Sequence, residues 1–502
     1  MHPRKSPSYR NSTAVAVAAM LSVQAIRLRA DSNWQLPGGS SGDWFNAANW
    51  SNGVPGAGDV AFIDNGGQAQ ITSGSPVANG LDVGAGSSLG GSLSIFGATL
   101  SIGDGGVAVG NNLGGSHSAL AINSASSLID SGPLDIGPTG FVDLNQGSLA
   151  AASITVNGGS LGLYNFAAGA NQPFTPISSP SMTIEGGGAI DFDCPESWVG
   201  ISGSTLLTGA GSGIETAFED IFQCTDGAQG GLQVEDGAQL SAWNLVIGDL
   251  PGDSASMTIS GTGTLVNTQF EDLVSGTRLT VTQTGGTNIA STMMEISTSP
   301  GASCQYSMSG GILQTPTLCL NFIKFGTDNF ALSGSGIVQV SGTEYIGLGG
   351  TANFIQSDGS NTVGSLLLGS AAATFPYDFY ITGAQSIGNY TLAGGTLQAS
   401  SLDVGNGSGC TGTYIQTSGT ASFSATNIAV PGESFGELDI SGGSANLGNL
   451  NIAGSQGSVS VCDISGGQVQ VANLAIASGA ESAATFTLSD ASLNPQFMTL
   501  AL

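Results

Sequence analysis

The sequence predicts an all-β chain, a single-stranded right-handed parallel β-helix (β-solenoid) with coils of about 24 residues. Similar phrases recur at a constant interval of about 24 residues, as in "YTLAGG" at Tyr390, "YIQTSG" at Tyr414 and "LDISGG" at Leu438. Within each unit apolar and polar residues alternate, which is typical of strands. Gly and Ser fill the stretches between strands, where the backbone must turn. A repeat this small buries its apolar face only against its neighbours, so the coils must stack.

The same phrase opens coils on both sides of this region. It continues at Cys462 and Phe486, and the interval from Phe354 to Tyr390 is longer, which predicts an insertion of roughly half a coil. We expect equivalent residues of successive coils, such as Leu438 and Cys462, to stack directly on one another. Other copies begin at Tyr306, Phe330 and Met257, with looser copies at Leu232, Leu93, Leu120 and Val142. A second motif consists of two apolar residues that flank one other residue and are followed by Gly, as in "LDVG" at Leu81. We interpret it as a second strand type, and it begins also at Val107, Leu134 and Leu245.

Aromatic residues open many of these units. Tyr306, Phe330 and Phe354, and further along Tyr390 and Tyr414, take the same place in their coils. Stacking of the coils then predicts ladders of rings, in which each pair adds about 0.5–1.5 kcal/mol beyond burial. The phase of these residues in the alternation favours core packing over an outward platform for sugars.

Residues 1–30 have the features of an export signal. A basic front, "MHPRKSPSYR", precedes a short apolar run, "TAVAVAAMLSV", and small residues follow, with cleavage expected after Ala25 or Ala30. The apolar run is too short to span a membrane. We therefore expect a secreted or cell-surface protein whose mature chain does not insert into a membrane.

The charge balance restricts the classes of partner. The whole chain carries a net charge of −28, and of its seven basic residues only Arg278 and Lys324 lie beyond residue 30. Binding of nucleic acid requires several Lys or Arg residues to displace counterions from phosphates. Anionic membrane surfaces require basic clusters as well. Neutral glycans, cations and other surface proteins remain as expected partners.

Residues 31–80 contain three tryptophans, Trp34, Trp44 and Trp50, within a segment that includes "GDWFNAANWSNGVPGAGDVAFID". This segment resembles the opening of exported bacterial β-helical repeat proteins, namely planctomycete-type surface proteins and autotransporter-associated strand-repeat passengers. The resemblance implies an exported β-helical surface protein. Physically, the three rings are suited to cap the open first coil, which otherwise exposes unpaired backbone. Stacking on a glycan is the alternative.

Residues 160–231 interrupt the rhythm between coils at 81–159 and 232–502. The stretch "IETAFEDIF" places apolar residues at helical spacing and predicts a short helix. Six cysteines allow fifteen pairings, which the sequence leaves open. Cys194 and Cys224 are the preferred disulfide pair because they bracket the least repetitive stretch.

The same segment holds the strongest candidates for catalysis. Asp191 and Asp193 alternate with apolar residues, so both carboxylates are expected to point outward from one strand, about 7 Å apart. That separation falls within the range used by inverting glycosidases. Glu219 is a third candidate. Acids on the outer face of a strand are more often simply solvated, so an enzyme is the less favoured interpretation.

No cofactor is required by any motif, and no Cys/His pattern indicates zinc. Acidic turns at 103–106 ("GDGG") and 235–237 ("EDG") have the chemistry for weak calcium binding. The unit that opens at Phe486 is shorter than a full coil, which predicts either that the last coil is incomplete in the chain as given or that the chain self-associates through this end of the solenoid.

Together these features favour a non-catalytic, exported structural or adhesive β-solenoid of the cell surface or extracellular matrix. The alternative is a carbohydrate-binding or carbohydrate-active β-helix that acts on neutral glycans beside residues 160–231.

Overall fold

The structure is a computed structural model of the 502-residue chain. It describes residues 31–500, with gaps at 111–114, 165–173, 194–197, 217–219, 224–228, 248–253, 274–277, 297–302, 322–325, 371–385, 430–431, 455, 479–480 and 491–496. Within these residues the chain forms strands and one short 3-10 turn, Ala47–Asn49.

The strands in chain order are β1 (Ser32–Asn33), β2 (Ser41–Asp43), β3 (Val60–Ile63), β4 (Gln68–Ile71), β5 (Val77–Val83), β6 (Ser92–Ile95), β7 (Thr99–Val109), β8 (Ser118–Ile122), β9 (Ser127–Asp130), β10 (Pro133–Ile136), β11 (Gly140–Asn145), β12 (Ser148–Ala150), β13 (Ser153–Asn157), β14 (Ser160–Tyr164), β15 (Phe174–Glu185), β16 (Ala189–Asp193), β17 (Trp198–Thr208), β18 (Gly213–Thr216), β19 (Asp220–Gln223), β20 (Gln229–Glu235), β21 (Gln239–Ile247) and β22 (Ser254–Ile259).

The remaining strands are β23 (Leu265–Leu273), β24 (Arg278–Gln283), β25 (Thr287–Ile296), β26 (Ser303–Met308), β27 (Ile312–Leu320), β28 (Thr327–Leu332), β29 (Ile337–Ile346), β30 (Thr351–Gln356), β31 (Ser360–Ser370), β32 (Ile387–Leu392), β33 (Thr396–Asn406), β34 (Thr411–Gln416), β35 (Thr420–Ile428), β36 (Phe435–Ile440), β37 (Ser444–Asn446), β38 (Asn449–Gly454), β39 (Val459–Ile464), β40 (Gln468–Gln470), β41 (Asn473–Ser478), β42 (Ala483–Leu488) and β43 (Phe497–Leu500).

Strands of successive coils pair in parallel, which confirms the predicted β-solenoid. Tyr390 lies opposite Tyr414, which in turn lies opposite Leu438. Leu438 then pairs with Cys462, and Cys462 with Phe486, as the constant sequence interval predicts. The longer sequence interval from Phe354 to Tyr390 does not disturb the stacking, because these two residues are register partners as well.

The inward side chains form continuous columns along the solenoid. One column joins the predicted aromatic residues upstream to Met257 and Leu232, and from there to Leu134, Val107 and Leu81. The looser copies at Leu93, Leu120 and Val142 lie in a different column, which continues to Leu240. The prediction that the motifs on both sides of residues 160–231 belong to one column was therefore wrong. Strands of both columns show the same alternation of inward and outward residues, so only the number of residues between two motifs tells one column from another.

Each coil in the C-terminal half has three straight segments. From β22 to β35 one is a separate strand such as β26, and the other two are the halves of a longer strand such as β27. In the next two coils the halves are separate strands, β37 and β38, then β40 and β41. The longer strands shift register midway, for example between Thr315 and Thr317 when β27 pairs with β29. We interpret these shifts as the corners at which the chain passes from one wall to the next. Between β26 and β27 the turn needs glycine: Gly311 has φ +82° and a Cβ there would lie 2.5 Å from carbonyl oxygens of the preceding coil.

Residues 160–231 continue the solenoid, and the predicted helix at 214–222 is wrong. Ile214 lies in β18 and residues 220–223 form β19, and both strands pair in parallel with β21. The apolar spacing resembles a helix because two short strands follow one another closely in the sequence. Irregularity is present in β15, whose pairing with β17 shifts register twice.

The predicted aromatic ladder lies in the core. Tyr306, Phe330, Phe354 and Tyr390 are fully buried, and their ring centroids are 4.7, 4.6 and 4.7 Å apart at interplanar angles of 13° or less. The next ring, Tyr414, is 6.0 Å from Tyr390. These spacings follow from the distance between paired strands, because one ring per coil is placed at each step.

Candidate functional site

A groove on the outer surface is centred on β16 and β18. Asp191 of β16 and Glu215 of β18 are register partners on neighbouring strands, and both side chains are exposed. The column continues with Ser241 of β21 and Asn267 of β23. These four side chains contribute to the lining of the groove, which has a volume of about 480 Å³.

Strand alternation explains why these acids point outward. In β16, Ile190 and Phe192 are buried in the core, while Asp191 and Asp193 are exposed between and beyond them. Asp193, however, does not contribute to the lining of the groove. The acid that lies beside Asp191 in the groove is therefore Glu215 of the next coil, and not Asp193 of the same strand.

Glu215 is the groove residue that the sequence interpretation missed. The signal was present, because Glu215 follows Asp191 in the sequence by one coil period. Glu219, the third predicted acid, lies outside the described residues. The preferred disulfide pair, Cys194 and Cys224, lies outside them as well. The described cysteines, Cys304, Cys319, Cys410 and Cys462, are buried and form no disulfide.

The chemistry of the groove suits hydroxyl-rich ligands. Two carboxylates accept hydrogen bonds, and the serine hydroxyl and asparagine amide of Ser241 and Asn267 both donate and accept them. Backbone of the glycine-rich turn 211–213 forms one edge, so a ligand can approach the main chain closely. Both acids are open to water, and neither lies in the apolar surroundings that a glycosidase gives its proton donor.

A second pair of outward acids lies on another wall and is covered. Asp272 of β23 and Glu295 of β25 are register partners, and Glu295 is only 9% exposed. Burial, together with the charge of Asp272, raises the pKa of Glu295 to about 8. A protonated carboxyl beside a second acid is a pattern found in active sites. Because Glu295 is covered, a substrate has no access to this pair in the present conformation.

The three predicted cap tryptophans are buried together in the first coils. The rings of Trp34 and Trp44 each meet Trp50 edge to face, with centroids 5.0 and 4.8 Å away. The indole N–H of Trp50 donates a hydrogen bond to the backbone oxygen of Trp44 at 2.7 Å. Rings buried in this way are not available for stacking on a glycan, and their position supports capping, which stays a prediction.

The acidic turns around Asp104 and Glu235 were considered as weak calcium sites. Within the described ranges, no three or more His, Cys, Asp or Glu side chains come together as metal ligands would. Asp236, in the second turn, has φ +55°. A conformation of this kind is frequent for Asp in tight turns.

Comparison of the chain with protein-family models, with curated protein sequences and with solved structures found no match. In the part of the chain that the structure describes, no helix is long and apolar enough to cross a membrane.

Proposed function

We propose that the protein is an exported structural or adhesive β-solenoid of the cell surface or extracellular matrix, which binds neutral surfaces such as uncharged polysaccharides. The observation that carries this proposal is an uncharged stretch of one wall of the solenoid, here called the neutral face. It consists of the outward side chains of β26, β28, β30, β32 and β34.

The neutral face is polar without being charged. Its outward residues are Ser, Gln, Thr, Asn, Ala and Ile, although the chain as a whole has a net charge of −28. Asn329, Asn353 and Asn389 form a ladder across it: Asn353 donates to Oδ1 of Asn329 at 3.0 Å, and Asn389 donates to Oδ1 of Asn353 at 2.9 Å. Ile355 and Ile387 add exposed apolar groups. Amides and hydroxyls beside apolar groups match the mixed surface of a sugar ring.

Repetition is the second support for adhesion. Equivalent side chains recur about every 4.8 Å along the solenoid and about 7 Å along each strand. Many weak contacts to a repeating polymer then add up through multivalency, without any deep pocket. The composition also disfavours anionic partners, because only two basic residues, Arg278 and Lys324, lie beyond residue 30.

Cosedimentation with insoluble cellulose and chitin tests this proposal. We expect the chain from residue 31 onward to bind at least one of them, and Thr327→Glu combined with Thr413→Glu to weaken binding at least tenfold. Both positions are on the neutral face, so the added charges must be desolvated on contact. Ser94→Asp, an outward position on β6, is the matched control. If the double variant binds as the wild type does, the neutral face is not the adhesive surface.

Export is tested separately. Fusion of residues 1–30 to a reporter enzyme that is active only outside the cytoplasm should give activity in a bacterial host. Replacing the basic residues of the front by Gln should abolish it. Retention of the intact fusion in the cytoplasm would remove the export part of the proposal and leave the neutral face untouched.

Recognition of a soluble neutral oligosaccharide in the groove is a second candidate function, favoured by the register pair Asp191 and Glu215. Titration calorimetry with neutral oligosaccharides should show binding that Asp191→Asn and Glu215→Gln abolish. Asp193→Asn is the matched control, because Asp193 is also exposed but does not line the groove. Turnover lost in Asp191→Asn would instead make the groove an active site, whereas equal losses in Asp193→Asn would show that surface charge alone is responsible.

A further inference from the structure

Two glutamates point into the core at positions where a hydrophobic residue is the rule. Glu271 of β23 lies between Leu245 and Met294 in its column, and Glu344 of β29 lies between Leu318 and Leu366. Both glutamates are fully buried. A buried carboxyl group needs either a partner of opposite charge or a proton of its own.

No partner of opposite charge is present among the described residues. The one Lys or Arg residue among them is Arg278, which is exposed at the start of β24. The titratable groups that act on Glu271 and its surroundings are Asp272, Cys304, Tyr306 and the buried Asp328. For Glu344 the titratable neighbour is the hydroxyl of Tyr390. None of these groups supplies a positive charge.

Each glutamate instead meets an asparagine of the following coil. Asn288 donates from Nδ2 to Oε1 of Glu271 at 3.2 Å, and Asn361 donates from Nδ2 to Oε2 of Glu344 at 2.9 Å. The two residues of each pair are 17 positions apart. The offset in sequence from Glu271 to Glu344 equals that from Asn288 to Asn361, so the same arrangement is built twice, three coils apart.

The atoms left without a hydrogen bond are the same in both pairs. They are the second carboxyl oxygen of the glutamate, Oε2 of Glu271 or Oε1 of Glu344, and Oδ1 of Asn288 or Asn361. An ionised carboxylate and an amide oxygen are both acceptors, so they cannot satisfy one another. A proton on the free carboxyl oxygen converts it into a donor for Oδ1 and closes a ring of two hydrogen bonds. One proton per pair thus accounts for both unpaired atoms.

We propose that Glu271 and Glu344 are neutral carboxylic acids in the folded chain, each held in a two-bond ring with Asn288 or Asn361, and that these pairs make the central coils sensitive to pH. Loss of the proton leaves a buried carboxylate that faces an amide oxygen. The coils around the two pairs therefore open more readily as the pH rises, while acid preserves them.

The surrounding hydrogen bonds support this assignment. The hydroxyl of Tyr390 donates to Oε1 of Gln356, and that of Tyr306 donates to Oε1 of Gln283, so neither hydroxyl is free to donate to a glutamate. The two glutamines are separated by the same offset in sequence as the two glutamates, which extends the duplicated arrangement. Burial raises the pKa of both glutamates to about 7, in the direction that a neutral acid requires.

Carbon-13 NMR of the chain labelled at the glutamate side-chain carboxyl tests the protonation state. At pH 5.5 we expect three carboxyl signals in the acid position while the exposed glutamates have ionised, because the covered Glu295 also has a raised pKa. Glu295→Gln should remove one of them, and the other two should disappear singly in Glu271→Gln and Glu344→Gln. Two ionised signals at that pH for these residues would overturn the proposal.

Urea unfolding of the glutamine variants is the second test. Gln copies a neutral acid, because its amide N–H₂ can donate to Asn Oδ1. We expect the Glu271→Gln, Glu344→Gln double variant to match the wild type at pH 5 and to unfold at a higher urea concentration at pH 8.5. Glu437→Gln, on the outer face of β36, is the matched control and should shift neither midpoint. A double variant as pH-sensitive as the wild type would overturn the pH role.

Discussion

Replacement of Phe354 by Ala should strongly destabilise the central coils. Phe354 is fully buried and stacks between Phe330 at 4.6 Å and Tyr390 at 4.7 Å. Removal of a buried Phe side chain costs about 3–5 kcal/mol. Because two stacked contacts are lost, each contributing about 0.5–1.5 kcal/mol, we expect a total loss of about 5 kcal/mol. Phe354→Leu keeps most of the apolar volume and should cost about 1–3 kcal/mol, since it loses mainly the stacking.

The free energy of opening is best measured by hydrogen exchange of peptides that cover β28, β30 and β32. A repeat array of this length need not unfold in one step, so a single global midpoint can hide a local effect. Ile355→Ala is the matched control, because Ile355 is the next residue and is 46% exposed on the outer face. It should change the free energy of opening by less than about 0.5 kcal/mol.

Two results would refute this reasoning. If Phe354→Ala costs no more than Ile355→Ala, the rings do not stabilise the stack. If Phe354→Leu costs as much as Phe354→Ala, filling of the core contributes little, and the contact between rings accounts for the whole effect.

Three further predictions concern pH, the first coils and one turn. The pKa of Glu271 and of Glu344 is raised from 4.5 to about 7, so their contribution to the free energy of unfolding is full below pH 4.5 and is lost as the pH rises through 7. Urea unfolding at pH 9.5 should therefore show a free energy of unfolding that is lower by about 3 kcal/mol for each glutamate. Trp50→Ala should lower the free energy of unfolding by about 3–5 kcal/mol, measured by thermal unfolding. If the rings cap the solenoid, light scattering should also detect association of this variant, and a stable monomer would argue against capping. Gly311→Ala should lower the melting temperature far more than Gly53→Ala, because both have φ +82° but only Gly311 lies against backbone; equal losses would mean that backbone strain alone decides.

Much of the fold was predictable because a fixed interval and strand alternation together determine which residues stack. The interval placed Tyr390, Tyr414 and Leu438 in one column, and the alternation placed them inside. Neither signal identifies a column once coil lengths vary, which is why the motifs at Leu93 and Leu81 were assigned to the wrong columns. A helix was predicted at 214–222 because two short strands in close succession can imitate helical spacing.

The candidate sites were less predictable. Adding one coil length to Asp191 leads directly to Glu215, so this partner was within reach of the sequence. The pairs of buried Glu and Asn were not, because a separation of 17 positions shows no sign of contact until the corner between two walls is known. Likewise, the neutral face becomes visible only when five strands are placed side by side.

The parallel stacking of coils has a mechanical consequence. The hydrogen bonds between coils point along the solenoid axis, so a force that pulls the ends apart loads the terminal coil first and spares those behind it. Opening one coil of about 24 residues releases about 80 Å of extended chain in place of a rise of about 4.8 Å. A solenoid built in this way yields coil by coil under tension, so in the adhesive role proposed above it would lengthen and dissipate work before it breaks.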